Sequence, residues 1–254
     1  MNVVWLQQSE AQVPYGIEWL SASERVRLSG LRVPKRHSDW RLGRWTAKRA
    51  VALYLKDSSP SFLREIEVRP ALSGAPEVFV FGQRAEFSVS LSHRVQHAMV
   101  ALAPPGGAIG CDLEYIEVHS DPFVADYFTA NEQLVIRRSA ACAQAALVSL
   151  LWSAKESALK ALHHGLRLDT RRLEVSLAEN AGTTWENLPV CNKAVSQPSP
   201  HNGCDSAQHG WRTFTVTLDG EIALPGCWQR CANLIRTLIA EADLLPPALL
   251  DCHN

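Results

Sequence analysis

Apolar and polar positions change rhythm repeatedly along this chain, and each rhythm predicts an element. "VVWLQQ" alternates loosely and predicts a first strand. "SASERVRLSGL" carries a Ser23 cap signal and predicts a short helix. "SDWRLGRWTAKRAVALYLKD" predicts a long helix capped at Ser38 or Asp39, with Gly43 marking close packing or close ligand approach. "REIEVRP", "APEVFVFG", "FSVSLSHR" and "HAMVALAP" read as strands. After the "APPGG" turn, "AIGCDLEYIEV" is a further strand. "PFVADYF" and the run from Thr129 to Gly165 are helical in pattern, and "RLDTRRLEVSL" leads into a strand. "WRTFTVTLDGEIALPGCW" alternates on both sides of Asp219-Gly220, a hairpin signal. "CWQRCANLIRTLIAEADLL" predicts a C-terminal helix. From 180 to 209 the composition shifts to Asn, Ser, Gln, Pro and Gly, which predicts a mobile insertion.

Two patterns carry more than architecture. In the second long helix Leu150, Leu151, Ala154, Ala158 and Leu162 form an apolar stripe. Trp152, Glu156 and Lys160 fall four apart and share another face. That face is either a solvated Glu–Lys pair or part of a site. Asp112 and Glu114 lie two apart in a strand and project to one side, away from Ile109, Cys111 and Leu113. Adjacent carboxylates repel, so they belong either on a solvent-facing edge or around a cation such as Mg²⁺.

Composition narrows the class. The chain has 254 residues, is 46% hydrophobic and 20% charged, and carries a net charge of -1. That suits a globular protein and gives no electrostatic reason to expect nucleic-acid binding. No apolar run approaches the about 20 residues of a membrane helix. Seven cysteines without a CxxC, and no leader pattern, predict reduced thiols and a cytoplasmic location. The basic residues cluster, however, between Arg32 and Arg49, which allows a local phosphate site. His93 and Arg94 end a strand, where both side chains suit phosphate. There is neither a P-loop nor a Rossmann glycine fingerprint.

Taken together, the motifs resemble one family. "GCDLE" at 110–114 looks like its G-(I/V/C)-D-(I/L/V)-E motif, and "WSAKESALKA" at 152–161 like its W-x-x-K-E-(A/S)-x-x-K motif. "SLSH" at 90–93, "YFTANE" at 127–132 and "RLGRWTAK" at 41–48 are similar to its remaining blocks, in the right order. The resemblance is to the Sfp-type 4′-phosphopantetheinyl transferases.

It implies an α+β, pseudo-symmetric fold of two halves, each with a long helix packed on a small antiparallel sheet. The halves would be 1–107, with the coenzyme A phosphate contacts, and 108–254, with the metal and catalytic motifs. The implied reaction moves the 4′-phosphopantetheine arm of coenzyme A to a serine of an apo-acyl, polyketide or peptidyl carrier protein, releasing adenosine 3′,5′-bisphosphate. The implied metal is Mg²⁺, with Mn²⁺ as a substitute, on Asp112, Glu114 and Glu156. Glu156, Lys160 and Glu132 would be catalytic, with the serine's base either Glu156 or Glu132. Arg41, Arg44, Lys48, Ser92, His93, Lys155 and Lys160 would bind the coenzyme. With both halves in one chain, a monomer is expected. Two departures stand out: Ala75 replaces the lysine of a Gly-Lys-Pro block, and Arg94 replaces a small residue after the histidine. Other readings are a different Mg²⁺-dependent phosphoryl-transfer enzyme and a non-catalytic carrier-binding relative.

Overall fold

The computed structural model describes residues 3–163, 165–177 and 210–250. The segment between Gly106-Gly107 and Gly110 separates two sheet-and-helix units. In the first, strand β1 (Val4–Ser9) leads to helix α1 (Ala22–Ser29) and the long helix α2 (Pro34–Tyr54). The short helix α3 (Pro60–Glu65) follows, then β2 (Ile66–Pro70), β3 (Pro76–Val80), β4 (Gln83–Arg84), β5 (Phe87–Arg94) and β6 (His97–Pro105). The α1 cap is Ser21 rather than Ser23: its Oγ accepts from the Glu24 N–H, and the Glu24 carboxylate accepts from the Ser21 N–H. Helix α2 begins at Pro34, ahead of the expected Ser38 or Asp39. Proline's fixed φ suits a first helical turn, where its missing N–H costs nothing. Gly43 meets only ordinary contact with Leu91, 3.6 Å from a notional Cβ.

The second unit comprises β7 (Gly110–Tyr115), α4 (Asp121–Tyr127), α5 (Ala130–Arg138) and α6 (Ala141–Ala161). Strands β8 (Leu173–Leu177), β9 (Arg212–Leu218), β10 (Ile222–Cys231) and β11 (Leu234–Ile239) complete its sheet, and β12 (Ala248–Leu249) follows. The sheet orders are β12-β1-β6-β5, β2-β3-β4 and β7-β11-β10-β9-β8. Every pairing is antiparallel except the parallel β12–β1 contact. The result is an α+β fold.

The expected C-terminal helix is instead the β10–β11 hairpin. Every residue of β11 is buried. A strand covered on both faces loses the polar alternation that identifies strands, so Leu234, Ile235, Leu238 and Ile239 imitate helical spacing. The expected insertion at 180–209 lies outside the described residues. Cys231 is disulfide-bonded, against the expectation of uniformly reduced thiols, whereas Cys111, Cys142 and Cys227 are free. Among the described residues no helix is long and apolar enough to cross a membrane.

Helix α2 packs on β1, β2, β5 and β6, and α6 packs on β7, β8, β10 and β11. The two units meet where β5 lies against β7. An apolar cluster including Trp5, Met99, Ile109, Cys111 and Leu238 fills this seam. Polar contacts cross it too: the Cys111 N–H donates to Ser90 Oγ at 2.9 Å, and Arg236 Nε donates to Gln7 Oε1 at 2.5 Å.

Candidate active site

Gly110 determines how deeply β7 seats on α6. A Cβ there would lie 1.8 Å from the Ser157 carbonyl oxygen, so a side chain would push strand and helix apart. The close approach brings Asp112 against α6. Asp112 is buried, and each carboxylate oxygen is engaged. Oδ1 accepts from Ser92 Oγ and from Lys160 Nζ, both at 2.7 Å, and Oδ2 accepts from Ser153 Oγ at 2.9 Å. Lys160 Nζ also donates to the Cys111 carbonyl at 2.9 Å. Burial works against the lysine's charge, but Asp112 opposite more than offsets it, and the Lys160 pKa is raised.

Glu114 is half-buried and sits 2.9 Å from Arg94 Nε. Its carboxyl is pushed up to about 7, first by burial and then by the Asp112 charge, with Arg94 opposing. Glu156 projects from α6 one turn before Lys160. Its Oε1 is buried without a hydrogen-bond partner. Its pKa is raised by burial and by Asp112. His93 follows Ser92 at the exposed end of β5, in electrostatic reach of Asp39, Lys35, Lys160 and Asp112, and desolvation lowers its pKa. Ser92, His93, Asp112, Glu114, Glu156 and Lys160 therefore gather at the β5–β7–α6 junction.

Three expected site residues do not join them. Lys155 is fully buried on the opposite side of α6 from the carboxylates. It pairs with Glu132 at 2.7 Å and donates to the Tyr127 and Thr170 carbonyls at 3.1 and 2.9 Å. Glu132 has no oxygen to spare: Oε2 takes Lys155 and the Thr129 N–H, and Oε1 takes the Val175 N–H. Lys48 is likewise fully buried, bound to Glu24 at 2.5 Å and to the Trp19 and Leu63 carbonyls. Each of these side chains is buried and held by several partners, away from the junction where the other site residues gather. Arg44 leans toward Glu24, at 3.9 Å, and over the Trp40 ring. Arg41 braces the Pro14, Tyr15 and Gly16 carbonyls while lining a cavity of ≈ 430 Å³ with Ser38 and His97. A second cavity of ≈ 570 Å³ is lined by Ala75, Arg84, Phe87, Ile109 and His163. Neither cavity is lined by Asp112, Glu114 or Glu156.

Trp152 serves the same face of α6 differently. It packs edge-on against Phe123 and Tyr127, both at 5.1 Å, and so holds α4 beside the site. The sequence reading missed Ser153, and with it a buried hydroxyl chain in which Thr237 Oγ1 meets Ser153 Oγ at 2.8 Å and Ser157 Oγ at 2.7 Å. The signal was available: Ser149, Ser153 and Ser157 recur four apart inside the apolar stripe. Buried hydroxyls at such spacing need partners.

Among the described residues no three metal-ligating side chains form a ready cluster. The donor chemistry nevertheless suits a hard cation. Three carboxylates face two cations, one buried carboxylate oxygen is orphaned, and two of the acids are pushed toward protonation by crowding and burial.

Residues 108–224 match the 4′-phosphopantetheinyl transferase superfamily. That stretch is thus similar to a superfamily named for the transfer of a 4′-phosphopantetheinyl group. The matched stretch runs from just before β7 into β10 and holds Asp112, Glu114, Glu156 and Lys160, whereas Ser92 and His93 lie before it. No curated protein matches the sequence.

Proposed function

We propose that the protein is an Sfp-type enzyme that moves the 4′-phosphopantetheine group of coenzyme A to a serine of an apo-carrier protein, with Mg²⁺. The observation that carries this reading is the Asp112–Lys160 pair beside the unpartnered Glu156 oxygen. Asp112, Glu114 and Glu156 would hold the metal, which when bound supplies positive charge to the pyrophosphate.

The chain's own groups supply the rest. The serine oxygen attacks the pantetheine-side phosphorus, and the bond from that phosphorus to the bridging oxygen of the pyrophosphate breaks. Adenosine 3′,5′-bisphosphate leaves. Lys160, fixed by Asp112 and the Cys111 carbonyl, faces the charge growing on the leaving phosphate. The serine proton goes to Glu156, whose Oε1 is uncommitted and whose basicity is raised by burial and by the neighbouring Asp112. Glu132 is not assigned this role, because both its oxygens are occupied. His93 and Ser92 line the approach for the coenzyme phosphates. Retention of all three carboxylates and the lysine disfavours a non-catalytic carrier-binding relative.

The test is incubation with coenzyme A, Mg²⁺ and a panel of apo-acyl and apo-peptidyl carriers, read by intact mass. The expected result is a carrier heavier by one phosphopantetheinyl group, with adenosine 3′,5′-bisphosphate released in equal amount and neither seen in EDTA. A panel left unmodified would overturn the proposal.

A further inference from the structure

Arg94 is the last residue of β5, and Glu114 lies across the seam on β7. The turn after Arg94 is tight: Val95 and Gln96 both have positive φ, 36° and 60°, and Arg94 pairs directly with His97. The backbone under the guanidinium is therefore fixed, while the side chain is long and 37% exposed. Its Nε stands 2.9 Å from Glu114 Oε2, yet its N–H is not aligned to donate there. Its outer nitrogen bonds Glu117, which lies beyond the end of β7. The guanidinium thus bridges two carboxylates, and it holds the inner one by charge without a directed bond.

We infer that Arg94 is a resident counter-cation for Glu114, which it yields to the divalent metal, and that the released guanidinium then faces the anionic substrate. This rests on the metal reading above. A guanidinium keeps its charge throughout the physiological range, so it does not leave Glu114 by deprotonation. A metal ion arriving at the same oxygen meets a fixed positive charge, and one of the two must move. Arg94 has the freedom to do so, being tethered only at an exposed carboxylate. Once free it has the planar, forked donors that suit a phosphate. Metal and anion binding then become positively coupled through a single side chain, and the coupling is reciprocal.

The experiment is calorimetric titration of Mg²⁺ alone into the wild type, Arg94→Gln and Lys35→Gln. Lys35 is an exposed cation on α2 whose loss controls for a general change of field. Arg94→Gln should bind Mg²⁺ about tenfold more tightly than wild type, with Lys35→Gln within about twofold. Coenzyme A is then titrated with and without Mg²⁺. The gain in coenzyme affinity from Mg²⁺ should be severalfold smaller in Arg94→Gln. Equal Mg²⁺ affinity in Arg94→Gln and wild type, or an equal shift in Lys35→Gln, would sink the inference and leave the metal reading standing. An unchanged coenzyme gain would remove the anion-capture half. Absence of Mg²⁺ binding in every protein would remove the metal reading and this inference with it.

Discussion

The buried Glu24–Lys48 and Glu132–Lys155 pairs occupy matching places in the two units. Lys48 lies fourteen residues after the first residue of α2, and Lys155 lies fourteen after the first of α6. Each glutamate closes a capping box at the preceding short helix, with Ser21 in one unit and Thr129 in the other. Each accepts an N–H from a strand, Val68 or Val175, and each lysine donates to two backbone carbonyls. The next helical positions differ. Where α6 has Glu156 and Lys160, α2 has Arg49 and Leu53. One device thus ties short helix, long helix and sheet together in both units, while reactive side chains occur on only one long helix. A charged pair that recurs where there are no reactive groups is holding the fold, and this is the strongest reason to remove Lys155 and Glu132 from the chemistry.

That comparison can be broken most directly at the pairs. Glu24→Gln and Glu132→Gln each leave a buried ammonium without its carboxylate. Each should lose about 3–5 kcal/mol of unfolding free energy, similar in the two units. Denaturant titration measures this. Turnover per folded molecule should stay near normal in both variants. A Glu132→Gln protein that folds as well as Glu24→Gln but has lost turnover would restore Glu132 as a base.

The carboxylates of the second unit should behave in the opposite way. Glu156 carries charge against burial and Asp112 without a bonded partner for Oε1, so Glu156→Gln should keep or gain stability while turnover falls by about 10²–10³. Glu114 adds a pH signature. Its ordinary value is 4.5, and here it is pushed up to about 7. The folded chain therefore holds this proton more tightly than the unfolded chain, and metal-free stability should fall as pH rises from about 4.5 to about 7. Glu114→Gln should flatten that slope and gain about 1–3 kcal/mol at pH 8. Parallel slopes for the two proteins in metal-free buffer would show that the Glu114 carboxyl is not crowded. Asp112→Ala differs, because it strands Lys160, Ser92 and Ser153, and it should lose stability as well as turnover.

What could be read from the sequence follows from how local each signal was. Asp112 and Glu114 were legible because strand geometry alone puts them on one side. Trp152, Glu156 and Lys160 were legible because helical geometry does the same. The direction of Lys155 was not, since a W-x-x-K-E pattern does not say which face of α6 is covered. Burial of Lys155 depends on the backbone carbonyls of Tyr127 and Thr170, which reach it only in three dimensions. Likewise β11 was read as a helix because its polar residues, Arg236 and Thr237, are buried and partnered across the seam and on α6, and so gave no alternation. Gly43 and Gly110 are both helix- or strand-embedded glycines, yet only Gly110 permits a backbone approach that a side chain would block.

The smallest effect concerns the carrier, and it too compares the units. Helix α5 ends in exposed Arg137 and Arg138 beside exposed Leu134 and Val135; its counterpart α1 exposes Arg27 beside Val26. Phe128, from the same segment, is buried and belongs to the core. The α5 arginines precede α6, and Glu156 lies fifteen residues along that helix from Ala141, so about 22 Å separates the first turn from the reacting groups. At that distance the charges act on the encounter with an acidic carrier and not on the reaction. Tyr127, packed on Trp152 one turn from Glu156, is the nearer exposed ring. Arg137→Glu with Arg138→Glu should therefore slow carrier association about threefold at low salt and weaken its salt dependence, leaving coenzyme A affinity unchanged. Arg27→Glu on α1 should do neither. Carrier KM measured across a salt series for the three proteins decides it: coincident curves would move the docking surface away from α5, and a matching response in Arg27→Glu would reduce the effect to net charge.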